Sequence, residues 1–232
     1  MSKNETLLSV VIPVFNEEPT IADVIKHLKI TLQAVGLKYE LIVVDDCSAD
    51  KSLEVSRNHD ARVYSLIRHM GKGYALRACF AKAKGEIIAT IDSDGSHRPE
   101  ELPLLLTPIL QDQSDFVIGS RYLNDKPTSA IRLNATGVRL FNALIKVFTR
   151  TEVTDSQSGY RVMRSKILQN LQLKSGGYEI ESEMLVRTSR RGFRVKEVPI
   201  TFEQRTYGRS RLDPIADGFK ILLSIVLAWI KG

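Results

Sequence analysis

The sequence predicts an α/β fold: a mostly parallel sheet between two helical layers, forming a three-layer α/β/α sandwich. Two observations predict it. Short apolar runs rich in β-branched residues recur along the first half, and segments with helical apolar spacing separate them. Runs apolar on both faces suit strands covered by helices above and below, as parallel βαβ units require.

Leu7 to Val14 is the first run. Thr20 to Val35 follows, with Ile21, Val24, Ile25, Leu28 and Leu32 at helical spacing. Leu41-Ile42-Val43-Val44 is the second strand, a helix starts near Asp50, and Ala61 to Ile67 is the third strand. A helix over Gly71 to Ala83 leads into a strand at Glu86 to Ile91, and Phe116-Val117-Ile118 makes a fifth. The second half reads as a helix from Ala130 to about Phe148 and a loop through Asp155 to Gly159. A helix from about Glu179 to Arg191 and a strand at Arg194 to Ile200 follow. No internal repeat or low-complexity linker interrupts the chain, so the 232 residues are expected to form one domain.

The chain is 43% hydrophobic and 26% charged, an ordinary globular balance. Cys47 and Cys79 fit no disulfide framework or metal spacing, and the N-terminus shows no signal-peptide pattern, so a reduced cytoplasmic setting is expected. The net charge of +6 is concentrated between Arg187 and Arg211, where eight basic residues face only Glu197 and Glu203. Such a stretch points to an anionic partner, although Arg187, Arg190 and Arg191 are equally compatible with a solvated helix face. Aromatic residues are scarce within it, which argues against nucleic acid. The last segment, 213–232, carries an apolar stretch from Ile221 to Ile230, short of the ~20 residues needed to span a bilayer. Trp229 and Lys231 at its end suit a membrane interface better than a buried core, which would retain a polar stripe.

Acidic clusters stand where three of the strands end: Asn16-Glu17-Glu18, Asp45-Asp46 and Asp92-Ser93-Asp94. One such cluster is a common helix cap; three in one sheet suggest a shared site, because ligands of open α/β sheets bind beyond the strand carboxyl ends. Asp92 and Asp94, two residues apart on extended backbone, can face the same way. Paired carboxylates favour a hard divalent cation, Mg²⁺ or Mn²⁺, bridging substrate phosphates. The sequence has no phosphate-binding loop of the GxxxxGK[ST] type, and Gly71-Lys72-Gly73 lacks the third glycine of a dinucleotide fingerprint. A metal with Arg and Lys side chains would therefore have to hold a diphosphate.

Pro13-Val14-Phe15-Asn16-Glu17, Asp45-Asp46-Cys47-Ser48-Ala49-Asp50, Gly71-Lys72-Gly73, Asp92-Ser93-Asp94 and Gly119-Ser120-Arg121-Tyr122 occur in that order. Together they resemble a family 2 inverting glycosyltransferase of the GT-A (Rossmann-like) fold. Asp155-Ser156-Gln157-Ser158-Gly159-Tyr160-Arg161, the stretch around Glu183, and Arg205-Thr206-Tyr207-Gly208-Arg209-Ser210-Arg211 resemble the branch containing dolichol-phosphate mannose synthase and related polyprenyl-phosphate glycosyltransferases. The resemblance implies a nucleotide-binding half at 1–120, an acceptor half at 121–212 and an interfacial helix at 213–232. It implies that Pro13, Asn16, Glu17, Asp45, Asp46, Lys72, Asp92 and Ser93 bind a nucleotide-sugar donor, with Asp92 and Asp94 on the metal. Arg121, Arg132, Thr136, Arg205, Ser210 and Arg211 would bind the acceptor phosphate, with Asp94, Arg121 and Arg205 catalytic. Ser96 departs from that branch, which often has a glutamine near the metal, so water is open as a third ligand.

A phosphomonoester acceptor is already anionic near neutral pH and needs positive charge rather than a base. A sugar hydroxyl would need a carboxylate base, for which Asp155 and Glu183 are the candidates. The arginines between 121 and 211 favour the first case, a polyprenyl monophosphate of the dolichyl type, because the planar guanidinium binds phosphate bidentately. The alternatives are transfer to a hydroxyl of a glycolipid or polysaccharide, or a sugar-nucleotide-binding module without catalysis. The expected setting is peripheral, on the cytoplasmic face of a membrane; donor identity and any homo-oligomer stay open.

Overall fold

The computed structural model describes residues 7–123, 129–203, 205, 207 and 213–231, with the side chains of 129–135 left aside. Strand β1 (Leu7–Val14) is paired in parallel with β2 (Lys38–Asp45) on one side and β4 (Ile87–Thr90) on the other; β3 (Arg62–Ser65) pairs with β2. The full order is β3-β2-β1-β4-β6-β5-β7, with β5 at Phe116–Ser120, β6 at Arg161–Arg164 and β7 at Val195–Pro199. All pairings are parallel except those of β6, which runs antiparallel between β4 and β5.

The β6 strand is a correction to the sequence reading, which ended a loop at Gly159 and anticipated nothing after it. Four residues bracketed by Arg161 and Arg164 carry too little pattern to read as a central strand, yet Arg161 is fully buried there. A second addition is the helix α4 (Leu102–Leu110). Pro103 falls in its first turn, where the missing N–H is harmless, and Pro108 lies inside it; the sequence reading placed no element there.

Side chains alternate along β1 and so split the core in two. Leu8, Val10, Ile12 and Val14 face α1 (Glu18–Val35) and α4, while Val11 faces α3 (Lys72–Lys82) and the later helices. Helix α1 starts with Pro19 in its first turn and stops at Gly36, whose φ of +69° is left-handed. The second face is covered by α3, α5 (Ser129–Thr149), α6 (Ser165–Asn170), α7 (Ile180–Arg190) and α8 (Ala216–Lys231). A short helix, α2 (Ser52–Arg57), sits between β2 and β3.

Helix α8 buries one stripe, Ile221, Ile225 and Ala228, against this layer, so it is core-packed on one side. Its other side leaves Phe219, Leu223 and Ile230 exposed. Among the described residues, no helix is long and apolar enough to cross a membrane.

Candidate active site

Register decides which acidic clusters meet. Val14 pairs with Asp45 and Val11 with Thr90, so the polypeptide leaves β1, β2 and β4 at one edge of the sheet. The three predicted clusters therefore share that edge.

The β1 and β2 ends are occupied mainly by mutual capping. Asn16, at φ +53°, accepts the Ala49 N–H at its side-chain oxygen (2.7 Å), and its own N–H donates to Ser48 Oγ (2.8 Å). The Glu17 N–H donates to Ser52 Oγ (2.7 Å). Asp45 is buried and accepts the Ser48 N–H through Oδ2, while its Oδ1 has no hydrogen-bond partner among the described residues. Asp46, also buried, accepts the Met70 and Gly71 N–H groups at 2.8 and 2.7 Å and pairs with His69 Nδ1 at 2.8 Å. Asp46 thus seats the turn that starts α3 and so places Lys72. His69 also stacks on Phe15 with ring centroids 3.8 Å apart. Pro13 is linked to the β4 end, since its carbonyl accepts Ser93 Oγ at 2.9 Å.

Beyond β4, Asp92 Oδ1 lies 2.7 Å from Lys72 Nζ. Asp94 Oδ1 accepts both the Ser96 N–H (3.0 Å) and Ser96 Oγ (2.6 Å). Ser96 therefore fixes the rotamer of Asp94. Gly159 is required behind Asp92: a Cβ there would stand 2.5 Å from the carboxylate. His97 is buried against Tyr160 and Phe202, and burial pushes its pKa down.

Phe202 forms an antiparallel bridge with His97, and the Glu203 N–H donates to the Ser96 carbonyl (2.9 Å). This short pairing carries residues 201–203 across the aspartate turn. Arg205 then contacts Glu17 and lies 3.5 Å from Asp94 Oδ2. The bridge thus brings Arg205 to acidic strand ends that lie far from it along the chain.

Arg121 follows β5 and forks onto Asp155 through Nε (2.6 Å) and one terminal nitrogen (2.7 Å), and its backbone N–H reaches the same carboxylate. Asp155 is fully buried and its own N–H donates to Glu197 (2.8 Å). Burial works against the Arg121 charge, but Asp155 more than offsets this and holds the guanidinium above its ordinary pKa. Glu183 lies elsewhere: its carboxylate accepts the Lys174 and Ser175 N–H groups and pairs with Arg187 Nε at 2.9 Å. Arg187 is thus buried in an ion pair, not on a solvated helix face. Arg194 is likewise taken up by Asp112 and Asp115, so part of the basic stretch is neutralised internally. Thr136 is exposed on α5; Arg132 lies on the same helix with its side chain outside the description, and Ser210 and Arg211 fall outside the described residues.

Glu181, in the first turn of α7, was not anticipated. It is buried and lies 2.8 Å from Lys72 Nζ. The one sequence signal was its position two residues before Glu183. Burial disfavours the Lys72 charge, but Asp92 and Glu181 outweigh it and hold the ammonium protonated. Burial would raise the Asp92 carboxyl, yet Lys72 holds it at about 2. A folded pKa below the unfolded value of about 3.9 stabilises the fold above pH ~4, and that contribution is lost as pH falls towards 2. Urea unfolding of the metal-free protein should therefore show a smaller acid loss between pH 4 and 2 for Asp92→Asn than for wild type. An identical pH slope would disprove the coupling.

A divalent cation fits this edge by its donor chemistry. Glu17, Asp92, Asp94 and Glu181 face the cations Lys72 and Arg205, an excess of carboxylate. Among the described residues, no three carboxylate, histidine or cysteine side chains converge as a complete chelate. Mg²⁺ and Mn²⁺ accept few protein carboxylates and complete their shell with phosphate oxygens and water.

An open, mostly parallel sheet with acidic groups and cations at its carboxyl edge is the architecture of GT-A glycosyltransferases. The chain belongs to glycosyl transferase family 2, whose family model matches residues 9–172. It is 33% identical to an uncharacterised protein of Methanocaldococcus jannaschii, over 97% of this chain and 93% of that one. It is 34% identical to the low-salt glycan biosynthesis hexosyltransferase Agl6 of Haloferax volcanii, over 92% of this chain but only 51% of the relative. It is 30% identical to a dolichol-phosphate mannosyltransferase of Pyrococcus furiosus, over 88% of this chain and 59% of the relative. The chain thus spans little more than half the length of these two transferases. Glucosyl-3-phosphoglycerate synthase of Mycobacterium tuberculosis, solved with Mn²⁺, UDP and phosphoglyceric acid, superposes with a TM-score of 0.80 at 25% identity, covering 97% of this chain and 79% of that one.

Proposed function

We propose that the protein transfers a hexose, with inversion, from a nucleotide sugar to a polyprenyl monophosphate. The observation that carries this reading is the bidentate seating of Arg121 on buried Asp155, with Arg205 beside Asp94. Both carboxylates named as bases for a hydroxyl acceptor are engaged, Asp155 by Arg121 and Glu183 by Arg187 and two N–H groups. A paired carboxylate is a poor base, whereas a pre-oriented guanidinium is a good phosphate ligand.

In this reading Asp92 and Asp94 would hold Mg²⁺ or Mn²⁺, whose charge would offset that of the diphosphate leaving group. Lys72 donates to the same diphosphate. Pro13, Asn16, Glu17 and the Asp45-Asp46 pair shape the nucleotide pocket, and residues 1–120 act as its half of the domain. Arg121 and Arg205, with Arg132, Thr136, Ser210 and Arg211, receive the acceptor phosphate, so that one anion can approach another. The fork of Arg121 on Asp155 fixes its plane before the acceptor arrives.

The apolar outer side of α8 extends onto α5 through Leu140 and Val147, with Phe148 and Trp229 stacked at 4.8 Å between the helices. Lys146, Lys220 and Lys231 are exposed nearby, Lys146 paired with Glu152 and Lys220 with Asp217. An exposed apolar patch with lysines beside it suits a membrane surface, on the cytoplasmic face. Much of the protein should sediment with vesicles containing phosphatidylglycerol and be released by carbonate; resistance to alkaline extraction would reject peripheral binding.

A soluble phosphomonoester is the second reading of the acceptor, because the mycobacterial synthase binds phosphoglyceric acid. Purified protein with Mn²⁺ would be assayed against GDP-mannose, UDP-glucose and other UDP-sugars, with a short polyprenyl phosphate, 3-phosphoglycerate or a free polyprenol. Product with the polyprenyl phosphate alone is the expected result. Transfer to the free alcohol would reject the phosphate acceptor.

A further inference from the structure

Lys72 has more negative charge around it than it needs. Its Nζ bridges Asp92 Oδ1 (2.7 Å) and Glu181 Oε1 (2.8 Å), and Glu181 is only 3% exposed. One carboxylate neutralises one ammonium, and burying a second charge is costly unless something uses it. Apart from this ion pair, neither Glu181 carboxylate oxygen has a hydrogen-bond partner among the described residues. The backbone of Glu181 is fixed independently. Its carbonyl accepts Arg161 Nη1 (2.7 Å), and the same fully buried guanidinium holds the Ser158 and Ser156 carbonyls at 2.7 Å each. The backbone of Glu181 is therefore held by β6 and the 155–159 loop, whatever Lys72 does.

We propose that Glu181 is a positioning residue: it keeps Lys72 compensated when Asp92 turns to the metal, which lets the ammonium serve the donor diphosphate. This rests on the reading of Asp92 as a metal ligand. The physical reason is a competition. A metal that takes Asp92 removes one of the two counter-charges of a buried ammonium. With Glu181 present the loss is tolerated; with a neutral side chain there, Lys72 stays on Asp92 and excludes the metal. The ion pair also argues against Glu181 as a general base, since Lys72 occupies its Oε1.

The test is Mn²⁺ binding to the full chain, followed by electron paramagnetic resonance with Mn²⁺ alone, with UDP and with GDP. Wild type should bind Mn²⁺ more tightly with one of the nucleotides; enhancement by neither would reject the metal reading and the inference with it. Glu181→Gln should weaken nucleotide-supported Mn²⁺ binding roughly 10–100-fold, the usual cost of losing a group that orients a metal ligand. Glu181→Asp, which keeps the charge, should recover most of that loss, and binding no better than the Gln variant would count against the charge argument. In a Lys72→Met background the Gln substitution should change binding by no more than about twofold, because there is no ammonium to compensate. The same loss with and without Lys72 would reduce Glu181 to a packing role and overturn the proposal. Unchanged Mn²⁺ binding with lost turnover would also overturn it and move Glu181 into the chemistry.

Discussion

Asp94→Asn is expected to lower turnover more than a hundred-fold while leaving the fold intact. Asparagine is isosteric, and its side-chain oxygen can still accept the two Ser96 donors that fix Asp94. What it loses is the negative charge offered to the cation. A metal clamp on a departing diphosphate contributes several kcal/mol to the transition state. Losing roughly 3 kcal/mol of it is about two orders of magnitude in rate. The comparison is turnover of wild type and variant in Mn²⁺, alongside wild type in EDTA, with thermal unfolding as the fold control. Full turnover in EDTA, or in the variant, would end the metal assignment. Ser96→Ala should be milder, since it frees the Asp94 rotamer without removing its charge.

Arg121→Ala is expected to destabilise the fold by about 3–5 kcal/mol, because it strands Asp155 as a buried, unpaired charge. Asp155 is fully buried, and Arg121 supplies two side-chain donors and a backbone N–H to it. The loss is a property of the pair, so Asp155→Asn in the same chain should restore part of the stability. Arg121→Lys separates stability from catalysis. It keeps a cation beside Asp155 but loses the planar fork, so the protein should fold with a raised KM for the phosphate acceptor. Urea titrations of the single and double variants check the first statement, and acceptor kinetics of the Lys variant check the second. An Ala variant as stable as wild type would mean that Asp155 is solvated or protonated.

The first half of the fold was legible because β1, β4 and most of β2 are buried on both faces and α1 on one. Both demands write a period into the sequence, as in Val10-Val11-Ile12 and in Ile21, Val24, Ile25, Leu28. The terminal helix was legible only in part. An all-apolar segment cannot say which side packs, and α8 uses one stripe for the core and leaves another exposed. Strand β6 was not legible, because four residues flanked by arginines have no period to read. Its place between β4 and β5 is set by pairing with two strands far away in sequence.

By itself the sequence determined the chemistry of the candidate site: carboxylates where strands end, arginines later in the chain, and no phosphate loop. Covalent order and residue type are local properties, and they suffice for that. Only the tertiary structure decided how the charges pair. It put Arg205 beside Asp94, buried Arg187 against Glu183, gave Asp155 to Arg121 and brought Glu181 behind Lys72. A charge's partner depends on distances of a few ångströms between segments tens to hundreds of residues apart, and the low-dielectric surroundings then decide whether that pair counts.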